Sequence, residues 1–253
     1  MNIRIFSDER TAAVYAAAVI EYVVQTTEHP VLGLATGSTP VPLYDQLVEF
    51  HQAGLSFAHV TTINLDEYVG LPPSHPQSYH AFMEEHLFRY IDVRKENTNI
   101  PRGDVQDLAG ECKRYDEVIK NHPIDVQVLG IGVNGHIGFN EPDSVLKVGT
   151  HVVTLAEETI AANSRFFAST QEVPNRAITV GLQPILRAKK VLLLAFGEAK
   201  AQAVMQAISG DVRTSLPASI LQVHPNVTFV LDQGAARVFL EEEKRKHATY
   251  NHG

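Results

Sequence analysis

The chain holds a single cysteine, Cys112, so no internal disulfide can form and the core alone must hold the fold, which fits a reducing cytosol. Cys112 sits in Gly-Glu-Cys-Lys-Arg-Tyr, an amphipathic helical stretch with no partner thiol, where it reads as a packing residue. Basic residues are in deficit: 21 Lys and Arg stand against 29 Asp and Glu, a formal net charge of −8. Nucleic acid is therefore a poor main partner, because binding a phosphate backbone needs a basic face. A small anion is not excluded, since a few local cations and backbone N–H groups hold one phosphate whatever the total charge. Long hydrophobic runs are missing too. The densest, Val191–Phe196, has the length of a strand rather than of a membrane span, and the first residues lack the basic region and apolar run of a signal peptide. A soluble, cytoplasmic chain with no membrane partner is expected. Nor is there a repeat, a low-complexity tract or a linker long enough to divide it, so residues 1–253 are expected to form one domain.

What is present is an alternation of short apolar runs with longer amphipathic ones. The strand-like runs are Ile3–Phe6, Val31–Ala35, Val60–Asn64, Val126–Ile131, Ala177–Val180, Val191–Phe196 and Val227–Leu231. Helical patterns cover Glu9–Thr26, Val41–Ala53, Gln77–Tyr90, Leu108–Asn121, Glu157–Phe167 and Glu198–Ser209. Several strand runs are apolar throughout, as strands covered on both faces are. The class expected is α/β: a mostly parallel, Rossmann-like sheet with helices on both faces, and ligands bound at the carboxyl ends of the strands. Pro72, Pro73 and Pro76 mark a loop, and Glu241–Lys246 a solvated helical end with disorder expected beyond it.

Four strand ends carry polar residues of interest. After the second strand come Thr36-Gly37-Ser38-Thr39-Pro40 and a helical pattern. Free N–H groups with the Ser38 and Thr39 hydroxyls would cradle an anion there, though the same residues would serve an ordinary helix cap. No Gly-Lys-Ser/Thr follows, so it is not a Walker loop. A similar turn, Gly197-Glu198-Ala199-Lys200, puts a lysine in a first helical turn, against the dipole preference. Lys200 is thus a cation for a bound phosphate or a surface lysine paired with Glu198. After the third strand stand Asp66 and Glu67, which as neighbours point to opposite sides, so at most one faces a common pocket. A carboxylate partly buried there can take a proton from carbon; two solvated loop acids are the alternative.

The run from Gly130 to Gly135 contains a literal Gly-x-Gly-x-x-Gly, with Glu157 and Glu158 roughly where a ribose-binding acid would stand. A dinucleotide site needs a helix opening at those glycines, and the continuation from His136 to Pro142 is broken by glycine and proline. What remains is an irregular loop with Asn134, His136 and Glu141. An imidazole between an amide and a carboxylate can be fixed in one tautomer and shuttle protons. A metal site with Asp66 and a structural histidine are the other readings, and no closely spaced histidine pair supports the metal.

Taken together these segments resemble the glucosamine-6-phosphate deaminase family. The pieces are Leu34–Pro40, Asn64–Leu71 (Asn-Leu-Asp-Glu-Tyr-Val-Gly-Leu), Gly132–Pro142 (Gly-Val-Asn-Gly-His-Ile-Gly-Phe-Asn-Glu-Pro), Asn163–Phe167 and Gly197–Ala201, in order along nearly the whole chain. The second and third are highly specific; the Gly-Ser-Thr-Pro loop is shared with related sugar-phosphate enzymes. The resemblance implies conversion of glucosamine 6-phosphate and water into fructose 6-phosphate and ammonia. It implies that Asp66 takes the C2 proton of the opened sugar and returns a proton at C1, and that His136 moves the proton between O1 and O5 that opens the ring. Glu141 and Asn134 would orient and tune His136. The phosphate would lie on Gly37, Ser38 and Thr39, with Arg165 and Lys200 as cations, and the loop glycines would leave room for the sugar. No cofactor and no metal are implied.

Two departures stand out. Some relatives have Asp at the place of Asn134; an amide supplies no charge to stabilise imidazolium, yet activity is expected to survive. The allosteric hexameric relatives carry an Arg-x-Lys pair where this chain has His151-Val152-Val153, so hyperbolic kinetics without activation by N-acetylglucosamine 6-phosphate are expected. The segment around 151–180, with Arg165 on it, is a lid candidate. The rival readings are a 6-phosphogluconolactonase-like hydrolase and a non-catalytic sugar-phosphate sensor.

Overall fold

A computed structural model of the chain describes residues 1–167 and 169–250. In chain order the elements are β1 (Asn2–Phe6), α1 (Glu9–Thr26), β2 (Val31–Leu34), α2 (Val41–Gln52), β3 (Thr61–Asn64), β4 (Asp66–Tyr68), α3 (Tyr79–His86), β5 (Thr98–Asn99) and α4 (Leu108–Asn121). Then come β6 (Val126–Leu129), β7 (His151–Thr154), α5 (Glu157–Asn163), β8 (Arg176–Thr179), α6 (Leu182–Arg187), β9 (Lys190–Ala195), α7 (Ala201–Ser209), β10 (Val227–Asp232) and α8 (Gln233–Tyr250).

Seven strands form one sheet in the order β1-β10-β9-β6-β2-β3-β5, each neighbouring pair parallel. Every residue of β2 and β6 is buried, and every residue of β9 but its first, which is why these runs are apolar without alternation apart from the buried Gln127 of β6. From β2 the sheet grows outward through β3 and β5, then returns to β6 on the other side of β2 and grows through β9 and β10. Crossovers on the two sides of such a reversal diverge, and a crevice opens at the carboxyl ends of β2 and β6.

The structure departs from the expected sheet in one consequential way. Ala177–Val180 is not a member of the parallel sheet. As β8 it is the central strand of a second, antiparallel sheet, β4-β8-β7. Only Leu65 separates β3 from β4; its N–H donates to Leu34 O at 3.1 Å in the large sheet and its carbonyl accepts from Val180 N at 2.7 Å in the small one. The sequence conceals β4 because Asp and Glu are poor strand formers. A small second core of Tyr68, Phe139, Leu155 and Ala177 packs behind this sheet.

Three helical patterns are subdivided. Gln77–Tyr90 begins later, at Tyr79 with Ser78 as its cap, and breaks at Leu87 (φ −142°) before a short 3₁₀ turn over Phe88–Tyr90. Glu157–Phe167 ends as a 3₁₀ turn over Ser164–Phe166, and Glu198–Lys200 is a 3₁₀ turn leading into α7. Helix α8 continues past Lys246 to Tyr250, and the remainder of the tail expected to be disordered lies outside the described residues. Among the described residues no helix is long and apolar enough to cross a membrane.

At the opposite end of the sheet Asp125 ties three strands together. Its carboxylate accepts from Val31 N at 2.8 Å and from Lys189 Nζ at 2.7 Å. Lys189 is 70% exposed, so the ion pair itself contributes little, whereas the buried N–H has no other acceptor to turn to. In urea denaturation Asp125→Ala should cost about 1–3 kcal/mol and Lys189→Ala under about 1 kcal/mol; equal losses would assign the stabilisation to the ion pair instead.

Candidate active site

The turns after β2, β3, β6 and β9 converge over the reversal point and, with α5 and Tyr79, enclose a cavity of about 190 Å³. Of the residues singled out by sequence, Gly37, Ser38, Thr39, Asp66, Asn134, His136, Arg165 and Lys200 line it. Glu141 does not; it stands behind His136.

Asp66 reaches the cavity because β4 starts there. It is 6% exposed, and burial, then the neighbouring charge of Glu67, push its pKa up to about 8. The reading of both acids as solvated loop residues is therefore wrong. Glu67 is buried on the other side of β4, where it accepts the backbone N–H groups of Tyr68, Tyr79 and His80 and meets the His80 ring. At Gly138 (φ +57°) the chain turns in the left-handed region and passes Asp66 closely: a Cβ there would lie 3.5 Å from Asp66 Oδ2.

His136 and Glu141 form a pair, Nδ1 to Oε2 at 3.3 Å. Burial works to raise the Glu141 pKa, but the hydrogen bond and charge of His136, with further donors from Thr159 and Asn134, leave it lowered. Asn134 corrects the expectation that its amide meets the imidazole. Its Nδ2 donates to Glu141 Oε2 at 2.9 Å, and its Oδ1 accepts the backbone N–H of His136 at 3.1 Å. Asn134 thus clamps the loop and the carboxylate, and reaches the ring only through them. The glycines are also not all room for a sugar. A Cβ at Gly132 would run into the His136 ring and one at Gly135 into Leu216, while Gly130 faces open space. No helix opens at these glycines, so the dinucleotide reading fails on the structure.

At the other end of the cavity Gly37 turns with φ +91°, and the Ser38 hydroxyl accepts from Arg165 Nη2 at 3.0 Å. Burial, and after it the charge of Arg165, lower the pKa of Lys200. Two cations held close enough to repel, beside hydroxyls and turn N–H groups, make a site suited to a dianion.

Two cavity residues escaped the sequence reading. Thr159, on α5, donates to Glu141 Oε1 at 2.5 Å and its hydroxyl lies 3.5 Å from His136 Nδ1. The available signal was a threonine on the inward side of an otherwise acidic helix start. Tyr79 stacks on Phe139 (16° between planes) and packs on Tyr68, and burial raises the pKa of its phenol well above the ordinary value. Its place after the proline-rich loop gave no signal. Among the described residues no group of three or more His, Cys, Asp or Glu side chains is arranged to hold a metal ion.

Known proteins resemble this chain over most of its length. The family model for glucosamine-6-phosphate isomerases and 6-phosphogluconolactonases matches residues 8–230. A glucosamine-6-phosphate deaminase of Thermoanaerobacter pseudethanolicus is 50% identical over 233 residues, 91% of this chain and 92% of the relative. That of Halothermothrix orenii is 49% identical over 238 residues, 93% and 99% of the two chains. The solved structure of a monomeric glucosamine-6-phosphate deaminase matches with a TM-score of 0.92 at 43% identity, covering 94% of this chain and 99% of that one. A 6-phosphogluconolactonase from Leishmania guyanensis shares the fold, with a TM-score of 0.73 at 23% identity over 93% of this chain and 97% of its own. The chain belongs to the glucosamine-6-phosphate isomerase/6-phosphogluconolactonase family.

Proposed function

We propose that this chain is a cytoplasmic glucosamine-6-phosphate deaminase, converting glucosamine 6-phosphate and water into fructose 6-phosphate and ammonia. The observation that carries this reading is a single cavity with a buried carboxylate and a histidine–glutamate pair at one end and two cations at the other. The relatives at about half identity bear that name.

The geometry supports the following roles. Arg165, Lys200, Ser38, Thr39 and the turn at Gly37 bind the 6-phosphate and so fix the sugar's far end. His136, backed by Glu141, takes the proton from O1 and gives one to O5, which breaks the C1–O5 bond and leaves an open-chain aldehyde. The aldehyde acidifies the C2–H bond, and Asp66 removes that proton to give an enolamine. A carboxylate with a pKa near 8 is a far better base toward carbon than a solvated one. The proton returned at C1 leaves an imine at C2; water adds there, the C2–N bond breaks, and ammonia departs from the ketone. Asn134 and Thr159 are positioning residues, since each holds Glu141. We infer that within the 151–180 segment of this one domain the stretch around α5 acts as a lid, because it carries both Thr159, on the acid–base end, and Arg165, on the phosphate end, while β7 and β8 at its two ends are held in the antiparallel sheet. The lactonase relatives support a shared fold alone.

Purified protein given glucosamine 6-phosphate, with no metal or nucleotide added, should release ammonia and fructose 6-phosphate in equal amounts, and Asp66→Asn should lose at least about a thousandfold in kcat. Hydrolysis of 6-phosphogluconolactone in place of ammonia release would sink the reading. Asn134→Asp places a second carboxylate against Glu141 where a donor now stands, so kcat should fall, by less than about tenfold. A rise of orders of magnitude in steady-state turnover would show that the amide is a defect rather than a clamp.

A further inference from the structure

We propose that Glu67 is a positioning residue for the reaction: fixed behind Asp66 by four N–H donors, it places a buried carboxylate beside the one that faces the cavity, and its grip on the start of α3 sets where Tyr79 stands there. This rests on the reading of Asp66 as the carbon base.

Glu67 is 1% exposed at its side chain and has no lysine or arginine partner in its hydrogen bonds. Its charge is met by peptide N–H groups instead. Oε1 accepts from Tyr68 N at 2.8 Å and Tyr79 N at 3.0 Å; Oε2 accepts from His80 N at 3.2 Å and stands 2.9 Å from His80 Nδ1. Tyr79 and His80 open α3, and the Ser78 hydroxyl takes the next N–H, that of Ala81, at 3.0 Å. The first turn of α3 is therefore capped jointly by its own serine and by a carboxylate from another element, which also favours the helix dipole. Gly103 closes over this junction from the opposite side. A Cβ there would collide with the Tyr68 carbonyl and lie 3.4 Å from Glu67 Cγ.

A cap alone does not call for this arrangement. A helix cap by itself needs one acceptor, which an amide or hydroxyl oxygen supplies without placing a charge next to a second buried carboxyl, an electrostatically unfavourable neighbour. Here both carboxylate oxygens are used, the second by the His80 N–H and ring. The charge therefore has a consequence beyond the cap. The groups around Asp66 are phenols: Tyr44 from α2, Tyr79 from α3, Tyr115 from α4 and Tyr68 on β4, each held neutral by burial and, to a lesser degree, by the Asp66 charge. Glu67 is the charged group that acts on Asp66, and its effect adds to that of burial. His80, 28% exposed at its side chain, is the partial counterweight to Glu67 and faces a cleft with Glu84, Lys95, Arg102 and Arg114 beyond it. The same two oxygens that hold the Tyr79 and His80 peptides thus connect the base to the aromatic wall of the cavity.

Two substitutions should move Asp66 in opposite directions. Glu67→Gln removes the charge and keeps the outline, with its single amide oxygen left to accept from one of the two pairs of donors; the acid limb of kcat/KM should fall by on the order of one pH unit, with a lower plateau because the base is weaker. His80→Ala removes a donor from Glu67 and leaves its charge less compensated, so the limb should rise. Carboxyl ¹³C NMR of Asp66 in the same proteins reads the midpoint without turnover. It separates failure of this proposal from failure of the deaminase reading, which would show as an unmutated protein that releases no ammonia. Opposite shifts support the role. An unmoved midpoint in Glu67→Gln, or, should that variant not fold, an unmoved or lowered midpoint in His80→Ala, overturns it and leaves Glu67 a helix cap.

Discussion

The site depends on one event in the chain: it leaves the parallel sheet at Asn64 and enters an antiparallel one at Asp66, with a single residue between. That transfer forbids a solvated loop at the end of β3. Asp66 must pair with Thr179 of β8, and the carboxyl that follows the large sheet is buried by the small one. Thr179 in turn accepts the Phe139 N–H at 3.1 Å, and Asn140 donates to Val180 O at 2.9 Å, so the histidine loop is anchored to the same strand. The carboxyl proposed as the base and the imidazole proposed as the proton shuttle are held by one ladder rather than by two independent loops. This is why an acid that costs free energy to ionise can be kept within reach of the imidazole.

The cavity separates two electrostatic tasks. At one end cations are held against each other, and a dianion between Arg165 and Lys200 relieves that repulsion. At the other end carboxylates sit close together: hydrogen-bond donors compensate Glu141 and Glu67, while burial and the charge of Glu67 raise the pKa of Asp66. Binding energy gained on the unreactive phosphate can then orient the sugar where interactions with the reacting atoms are weak in the ground state. Helix α5 and its 3₁₀ extension bridge the two ends through Thr159 and Arg165, so the proposed phosphate end and the set of Glu141 are mechanically joined.

The sequence was most legible where burial dictates pattern. Apolar runs identified six of the seven strands of the parallel sheet, all but the two-residue edge strand β5, and the periods of α1 and α4 gave their ends to the residue. The strand-end rule located the cavity, and the residues it pointed to gather there, apart from Glu141. What escaped notice was what tertiary contact overrides. Asp-Glu-Tyr is a strand only because β8 lies beside it; Thr159 and Tyr79 line the cavity only because α5 and α3 fold inward. Asn134 was placed correctly in the loop but given the wrong partner, since spacing cannot tell an amide that faces a ring from one that faces a peptide N–H.

The central claim is that a single, nearly buried carboxyl, 6% exposed, carries the proton from C2 to C1. A group so shielded exchanges its proton with water slowly enough to compete with transfer. Glucosamine 6-phosphate labelled with deuterium at C2, turned over in ordinary water, should therefore give fructose 6-phosphate with part of that deuterium at C1. Complete loss of the label to water, with no deuterium at C1 even at the earliest times, would contradict a shielded single base and place the transfer on a group open to solvent.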